Sequence, residues 1–185
     1  MYTDPRKPVY CESYRLYYIR RQDLKRHTGT RLKGYADMDC PPAIYCHRLR
    51  VTDADMDTLG HTNNVRYVAW MQDAAIAHST AMGWNPDRYQ QQQQTWLVRR
   101  HEIEYLLPST AGDPIVIYTW IATLGKVTST RRFEIVHADS NALLARAQTN
   151  WVYYDRSRQR PTRVPESLRS SFEVDPRSYF HPTDS

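Results

Sequence analysis

The chain has 185 residues, 41% of them hydrophobic and 24% charged. That balance fits a globular domain with a packed core and excludes a disordered or fibrous chain. No apolar run approaches the roughly 20 residues that cross a bilayer. The first residues lack the apolar stretch of a secretory leader, so a cytoplasmic protein without membrane contact is expected. The formal charge of +5 is uneven: residues 1–50 hold 11 Lys and Arg against 5 Asp and Glu, and the rest is close to neutral. The positive excess belongs to the N-terminal segment. No helix-turn-helix or zinc module accompanies it, so nucleic acid is not the expected partner.

Residues 1–43 read as a basic N-terminal extension, poorly ordered or acting as an arm toward an anionic partner. Tyr14 to Arg26 could form a short basic helix, and Met38 is an alternative translation start. Cys11, Cys40 and Cys46 are odd in number and widely spaced, so reduced thiols are expected rather than a disulfide framework or a zinc site. From Ile44 to Val51 the chain alternates as a strand does, with His47, Leu49 and Val51 against Arg48, Arg50 and Thr52. A polar loop follows from Asp53 to Asn64. Asn63 or Asn64 can cap a long helix whose predicted stripe is Val65, Val68, Ala69, Gln72, Ala75, Ile76 and Ser79. Gly83 and Pro86 end it.

The five glutamines Gln90 to Gln94 read as a polar loop. Four strands are then predicted, near 96–106, 114–124, 127–136 and 143–154, separated by turn chemistry. Ile115, Ile117 and Ile121 oppose Val116, Tyr118 and Trp120, so the second of these strands is apolar on both faces. A helix is expected over one face and a second subunit over the other. A short helix is predicted near Glu166–Ser171, before a polar tail. The whole is an α+β domain over 44–172, with an antiparallel sheet around one long helix, and a C-terminal tail over 173–185.

The loop before the helix carries the chemistry. Asp53, Asp55 and Asp57 alternate, followed by Gly60, His61, Asn63 and Asn64. An EF-hand would need Gly and Glu where Thr58 and Asn64 stand, so no metal is expected. A helix N-terminus offers unpaired N–H groups that stabilise negative charge developing on an oxygen. A carboxylate just upstream can activate water or attack a carbonyl. Together they suit acyl transfer.

The run Asp57-Thr58-Leu59-Gly60-His61-Thr62-Asn63-Asn64-Val65-Arg66-Tyr67 resembles the 4-hydroxybenzoyl-CoA thioesterase-like branch of the hotdog superfamily. The resemblance extends over about residues 44–172, to Arg160-Pro161-Thr162-Arg163-Val164-Pro165. It implies a hotdog fold and hydrolysis of an acyl-CoA or acyl-carrier-protein thioester, in a homodimer or homotetramer. No cofactor is implied, CoA being part of the substrate. Asp57 would be general base or nucleophile, and the N–H near Asn64 would polarise the carbonyl. His61 matches a histidine that plant carrier-protein thioesterases place near their chemistry. Those enzymes carry Asn where this chain has Leu59, so a structural role for His61 stays open beside the catalytic one. Asn63 reads as loop organiser or substrate contact, and Tyr67 as core packing or acyl-pocket lining. Lys126, Thr128, Ser129 and Arg163 would meet the CoA moiety, and Arg131 or Arg132 could meet its phosphates. A hotdog hydratase is disfavoured because no Pro follows Asn63 or Asn64. A non-catalytic acyl-CoA-binding protein is the alternative.

Overall fold

The computed structural model describes residues 43–177, and the expectations for the basic extension and for Met38 lie outside them. The first strand, β1, is Tyr45–Arg50. A 3-10 turn at Asp53–Asp55 leads through the acidic loop to helix α1, Asn64–Ala81. Asn63 is the cap, its Oδ1 accepting from the Val65 N–H at 2.9 Å. Gly83 follows at φ +81, the left-handed conformation that lets the chain leave the helix.

The polyglutamine segment is a loop only at its centre, where Gln92 and Gln93 turn the chain, Gln93 at φ +53. Asn85 caps a second helix, α2, Pro86–Gln91, with proline pre-set for its first turn. Gln94 already belongs to β2, Gln94–Tyr105. The remaining strands are β3 Pro114–Leu124, β4 Thr128–His137, β5 Leu143–Asp155 and the two-residue β6 Arg160–Pro161, followed by the short α3, Glu166–Arg169. The sheet order is β1-β3-β4-β5-β2, antiparallel throughout, with β6 beside β5.

Helix α1 packs on the inner face of this sheet. Its buried side is Tyr67, Trp70, Met71, Ala74, Ala75 and His78, against Ile115, Ile117, Phe133 and Ile135. The predicted stripe is therefore displaced: Val65 is 69% exposed and Ile76 43%. The face bearing two aromatic rings, Met71 and His78 has more area to remove from water than the small-residue face, and it takes the core.

Strand β3 is buried on both sides, as its composition predicts. Its outer face packs with Ile44, Val136 and Ala138. The same chain reaches this face at Trp120, whose Nε1 donates to Arg177 O at 3.3 Å, while Asp175 N–H bonds Ile121 O at 2.9 Å along the edge of β3. Cys46, on β1, is disulfide-bonded rather than a reduced thiol. Pairing is set by approach in space, which spacing along the chain does not report. Cys11 and Cys40 are outside the described residues.

Candidate active site

The acidic loop is a tight hairpin stitched to the helix start. Met56 and Thr62 form an antiparallel bridge, Asp57 N–H donates to His61 O at 2.8 Å, and Asn63 N–H donates to Asp55 O at 2.8 Å. Gly60 turns the hairpin at φ +80. The hairpin base is anchored on Ser109: Thr62 N–H donates to Ser109 O at 2.9 Å, and the Ser109 hydroxyl meets Thr62 Oγ1 at 2.7 Å and Tyr67 Oη at 3.0 Å. Tyr67 is buried in the core, so its packing role is the one the geometry gives it.

The three aspartates do different things. Asp53 is exposed on the 3-10 turn. Asp55 is buried, its carboxylate bonding Thr52 N–H at 2.8 Å, Thr52 Oγ1 at 2.7 Å and Arg66 Nε at 2.5 Å. Burial alone would raise its pKa, but the Thr52 hydrogen bonds and the Arg66 charge outweigh it and hold it below the usual value. Asp57 is half-buried. Its Oδ1 accepts from Leu59 N–H at 2.8 Å and His61 N–H at 3.2 Å, while no donor reaches Oδ2 among the described residues. One oxygen thus fixes the carboxylate and the other carries no hydrogen bond among the described residues. Among the described residues no cluster of three or more acidic, His or Cys side chains is placed to hold a metal ion.

The helix start completes the arrangement. The first-turn N–H groups of Val65 and Arg66 are taken by Asn63, through its side chain and carbonyl. The Asn64 N–H has no acceptor among the described residues, while Asn64 O accepts from Tyr105 Oη at 3.2 Å. The hairpin therefore joins a fixed carboxylate to a helix start whose exposed Asn64 has no acceptor for its N–H among the described residues. The sequence pattern of the thioesterase-like superfamily matches residues 51–172, from the hairpin to beyond α3.

The chain belongs to this superfamily. It is 24% identical over 110 residues to the chloroplastic palmitoyl-acyl carrier protein thioesterase of Cuphea hookeriana, a match that covers 56% of this chain and 26% of that protein. The chain thus spans about a quarter of the length of that relative. Two solved structures share the fold. The 1,4-dihydroxy-2-naphthoyl-CoA thioesterase Slr0204 from Synechocystis superposes with a TM-score of 0.65 at 19% identity, over 69% of this chain and 94% of that one. The protein SAV2348 from Staphylococcus aureus, solved with CoA, gives 0.66 at 15% identity over 69% and 80%. The α+β architecture is the hotdog fold, which both structures share.

In this thioesterase-like chain the predicted CoA residues gather at the β3–β4 turn, with one exception. Lys126 and Thr128 are exposed on the turn, and Val164 N–H donates to Lys126 O at 2.8 Å, which brings exposed Arg163 beside it. Ser129 points inward instead: it is buried and its Oγ donates to Thr123 O at 3.0 Å. Arg131 is also buried, 4% exposed, under α1 and cannot face a nucleotide on the surface. The His61 imidazole has no hydrogen-bond partner among the described residues, and neighbouring Leu59 is 80% exposed.

A cavity lies elsewhere. About 290 Å³ opens between the second half of α1, α2, α3 and the inner face of the sheet. None of Asp57, His61, Asn63 and Asn64 lines it. The offset stripe of α1 does: Gln72, Ala75, Ile76 and Ser79 form one wall.

Ser109 and the Asp55–Arg66 pair were missed by sequence reasoning. The pattern Thr52-x-x-Asp55 is a capping box legible in the chain. Ser109 has no such signal, because it meets Thr62 across 47 residues.

Proposed function

We propose that the protein hydrolyses an acyl-CoA or acyl-carrier-protein thioester to the free acid and thiol. The observation that carries this is the Asp57 carboxylate, with Oδ1 locked by two backbone N–H groups and Oδ2 open, set one hairpin from the unpaired Asn64 N–H. The substrate carbonyl would accept from the Asn64 N–H, where the positive end of α1 stabilises the charge that develops on oxygen. Asp57 Oδ2 would deliver the nucleophile, either by taking a proton from water or by attacking the carbonyl carbon to give a mixed anhydride that water then opens. His61, on the same hairpin and with no hydrogen-bond partner for its ring among the described residues, would take part in proton transfer. Lys126, Thr128 and Arg163 would bind the CoA moiety, with Asn63 organising the helix end and Tyr67 backing it. No cofactor is required by this chemistry.

Self-association as a homodimer or homotetramer belongs to the same reading. Leu59 and Val65 stand exposed on either side of the site, and β2 is a 12-residue strand with Leu97 and Val98 exposed. Among the described residues β2 pairs only with β5, and a long open edge is a surface that proteins normally cover. A second copy would close it.

Thiol release from a panel of aliphatic and aromatic acyl-CoA esters, followed with a thiol reagent, tests the activity. Turnover of at least one class is expected. Tight binding of CoA esters with no thiol released would instead make this a non-catalytic acyl-CoA-binding protein.

A further inference from the structure

The cavity holds an electrostatic imbalance that the Asp57 site does not use. Arg131 lies in its wall, 4% exposed. Its hydrogen bonds run from Nη1 to His78 Nδ1 at 2.8 Å and to Thr119 Oγ1 at 3.3 Å. Neither partner is an acid. A guanidinium only donates, so His78 Nδ1 accepts and the ring is neutral, with its proton on Nε2. Among the described residues no Asp or Glu lines the cavity, and Arg131 and Arg156 are its charged residues. A buried cation without a counter-ion costs stability unless something compensates it.

Two other polar atoms of the same cavity are unsatisfied. Tyr89 Oη and Trp151 Nε1 are buried with no hydrogen-bond partner. Ser79 and Trp96 lie near the Tyr89 hydroxyl, yet neither meets hydrogen-bond geometry with it. Trp151 pairs with Ser129 and Thr149 with Arg131 in the β4–β5 register, so Trp151 and Arg131 are diagonal neighbours on the inward face. Orphaned buried donors are uncommon, and two of them in one cavity with a guanidinium that meets no carboxylate there point to an anionic acceptor. Around them the walls are apolar and aromatic, including Trp84, Trp96, Leu124, Leu168 and Phe172.

We propose that this cavity binds a carboxylate on an apolar body, the carboxylate accepting from the Arg131 guanidinium, Trp151 Nε1 and Tyr89 Oη while the apolar part fills the space toward α3. The site lies along α1 from the Asp57 loop, since Ala75 is 11 residues beyond Asn64, or about 16 Å at 1.5 Å per residue. The carboxylate has two possible sources: a free organic acid, or the far end of an acyl group whose thioester sits at Asp57. Binding of the free acid does not depend on hydrolysis. Only the second source rests on the proposed activity.

The test is titration of the full chain with octanoate and, as a neutral counterpart, 1-octanol, read by calorimetry and by the fluorescence of Trp84, Trp96 and Trp151. The wild type is expected to bind octanoate at least tenfold more tightly than octanol. Arg131→Met should erase that preference. Tyr89→Phe and Trp151→Phe each delete an unsatisfied atom, so they should keep the thermal midpoint while weakening octanoate several-fold. Equal affinity for acid and alcohol in the wild type would overturn the proposal, as would undiminished octanoate binding in both Tyr89→Phe and Trp151→Phe. If Arg131→Met fails to fold, those two variants still decide it.

A second arm compares thiol release from suberoyl-CoA and octanoyl-CoA. A preference for the ester with a distal carboxylate, lost in Arg131→Met, identifies the acyl group as the source. Octanoate binding without that preference identifies a free acid. Octanoate binding with no thiol released from any ester keeps this site and overturns the hydrolase reading.

Discussion

Arg66, in the first turn of α1, donates from Nε to the buried Asp55 carboxylate at 2.5 Å, and so ties the helix start to the hairpin that carries Asp57. Asp55 thereby acts as a positioning residue. Arg66→Met removes the charge partner and leaves a buried carboxylate held by Thr52 alone. A loss of about 1–3 kcal/mol in urea unfolding is expected, with Arg66 half exposed and the pair partly screened. Because the folded pKa of Asp55 is depressed below its ordinary 3.8, its contribution is present above about pH 4 and is lost as pH falls through the folded value. Asp55→Asn should flatten the stability profile in that acidic window.

His78 predicts a second pH dependence of different origin. Burial, and then the Arg131 charge beside it, push its pKa down to about 3. Below the ordinary value of 6.5 the unfolded chain takes up a proton that the folded chain refuses. Stability is therefore complete above about pH 6.5 and falls as the pH drops toward 3. The loss between pH 6.5 and 5 is on the order of 2 kcal/mol. Urea midpoints measured across that range should fall in the wild type and fall less in His78→Gln.

Gly60 tests the hairpin itself. A Cβ there would meet nothing within 4 Å, so space is not the constraint; φ +80 is. Gly60→Ala should cost about 1 kcal/mol and lower turnover by loosening Asp57, while Gly60→Asn should cost less, because asparagine tolerates the left-handed region. Equal stability of Gly60→Ala and wild type in urea would contradict the strained-turn account.

Much of this architecture was legible in the chain. The strands announced themselves through alternation between Gly, Pro and Asn turns, and β3 through its two apolar faces. The Asp57–Asn64 run, with its acids ahead of a helix cap, was equally local. Non-local choices were not. The buried face of α1 could not be placed from spacing alone, because two stripes compete and the larger aromatic one wins only when there is a sheet to meet it. Gln90–Gln94 looked like a loop because its composition is polar, yet Asn85 and Pro86 start a helix that runs through Gln91, leaving only Gln92 and Gln93 as a turn before β2. Ser109 and Arg131 act through contacts 47 and 53 residues away, which no window along the chain contains.

The most direct measurement of the central claim is thiol release by Asp57→Asn beside the wild type, with urea stability as the control. The amide oxygen of asparagine can still accept from the Leu59 and His61 N–H groups, so the hairpin should hold and stability should stay near that of the wild type. With no carboxylate to activate water or attack the carbonyl, turnover should fall by about 10²–10⁴-fold. A stable Asp57→Asn variant that releases thiol at the wild-type rate would contradict the assignment of Asp57 as the reacting group.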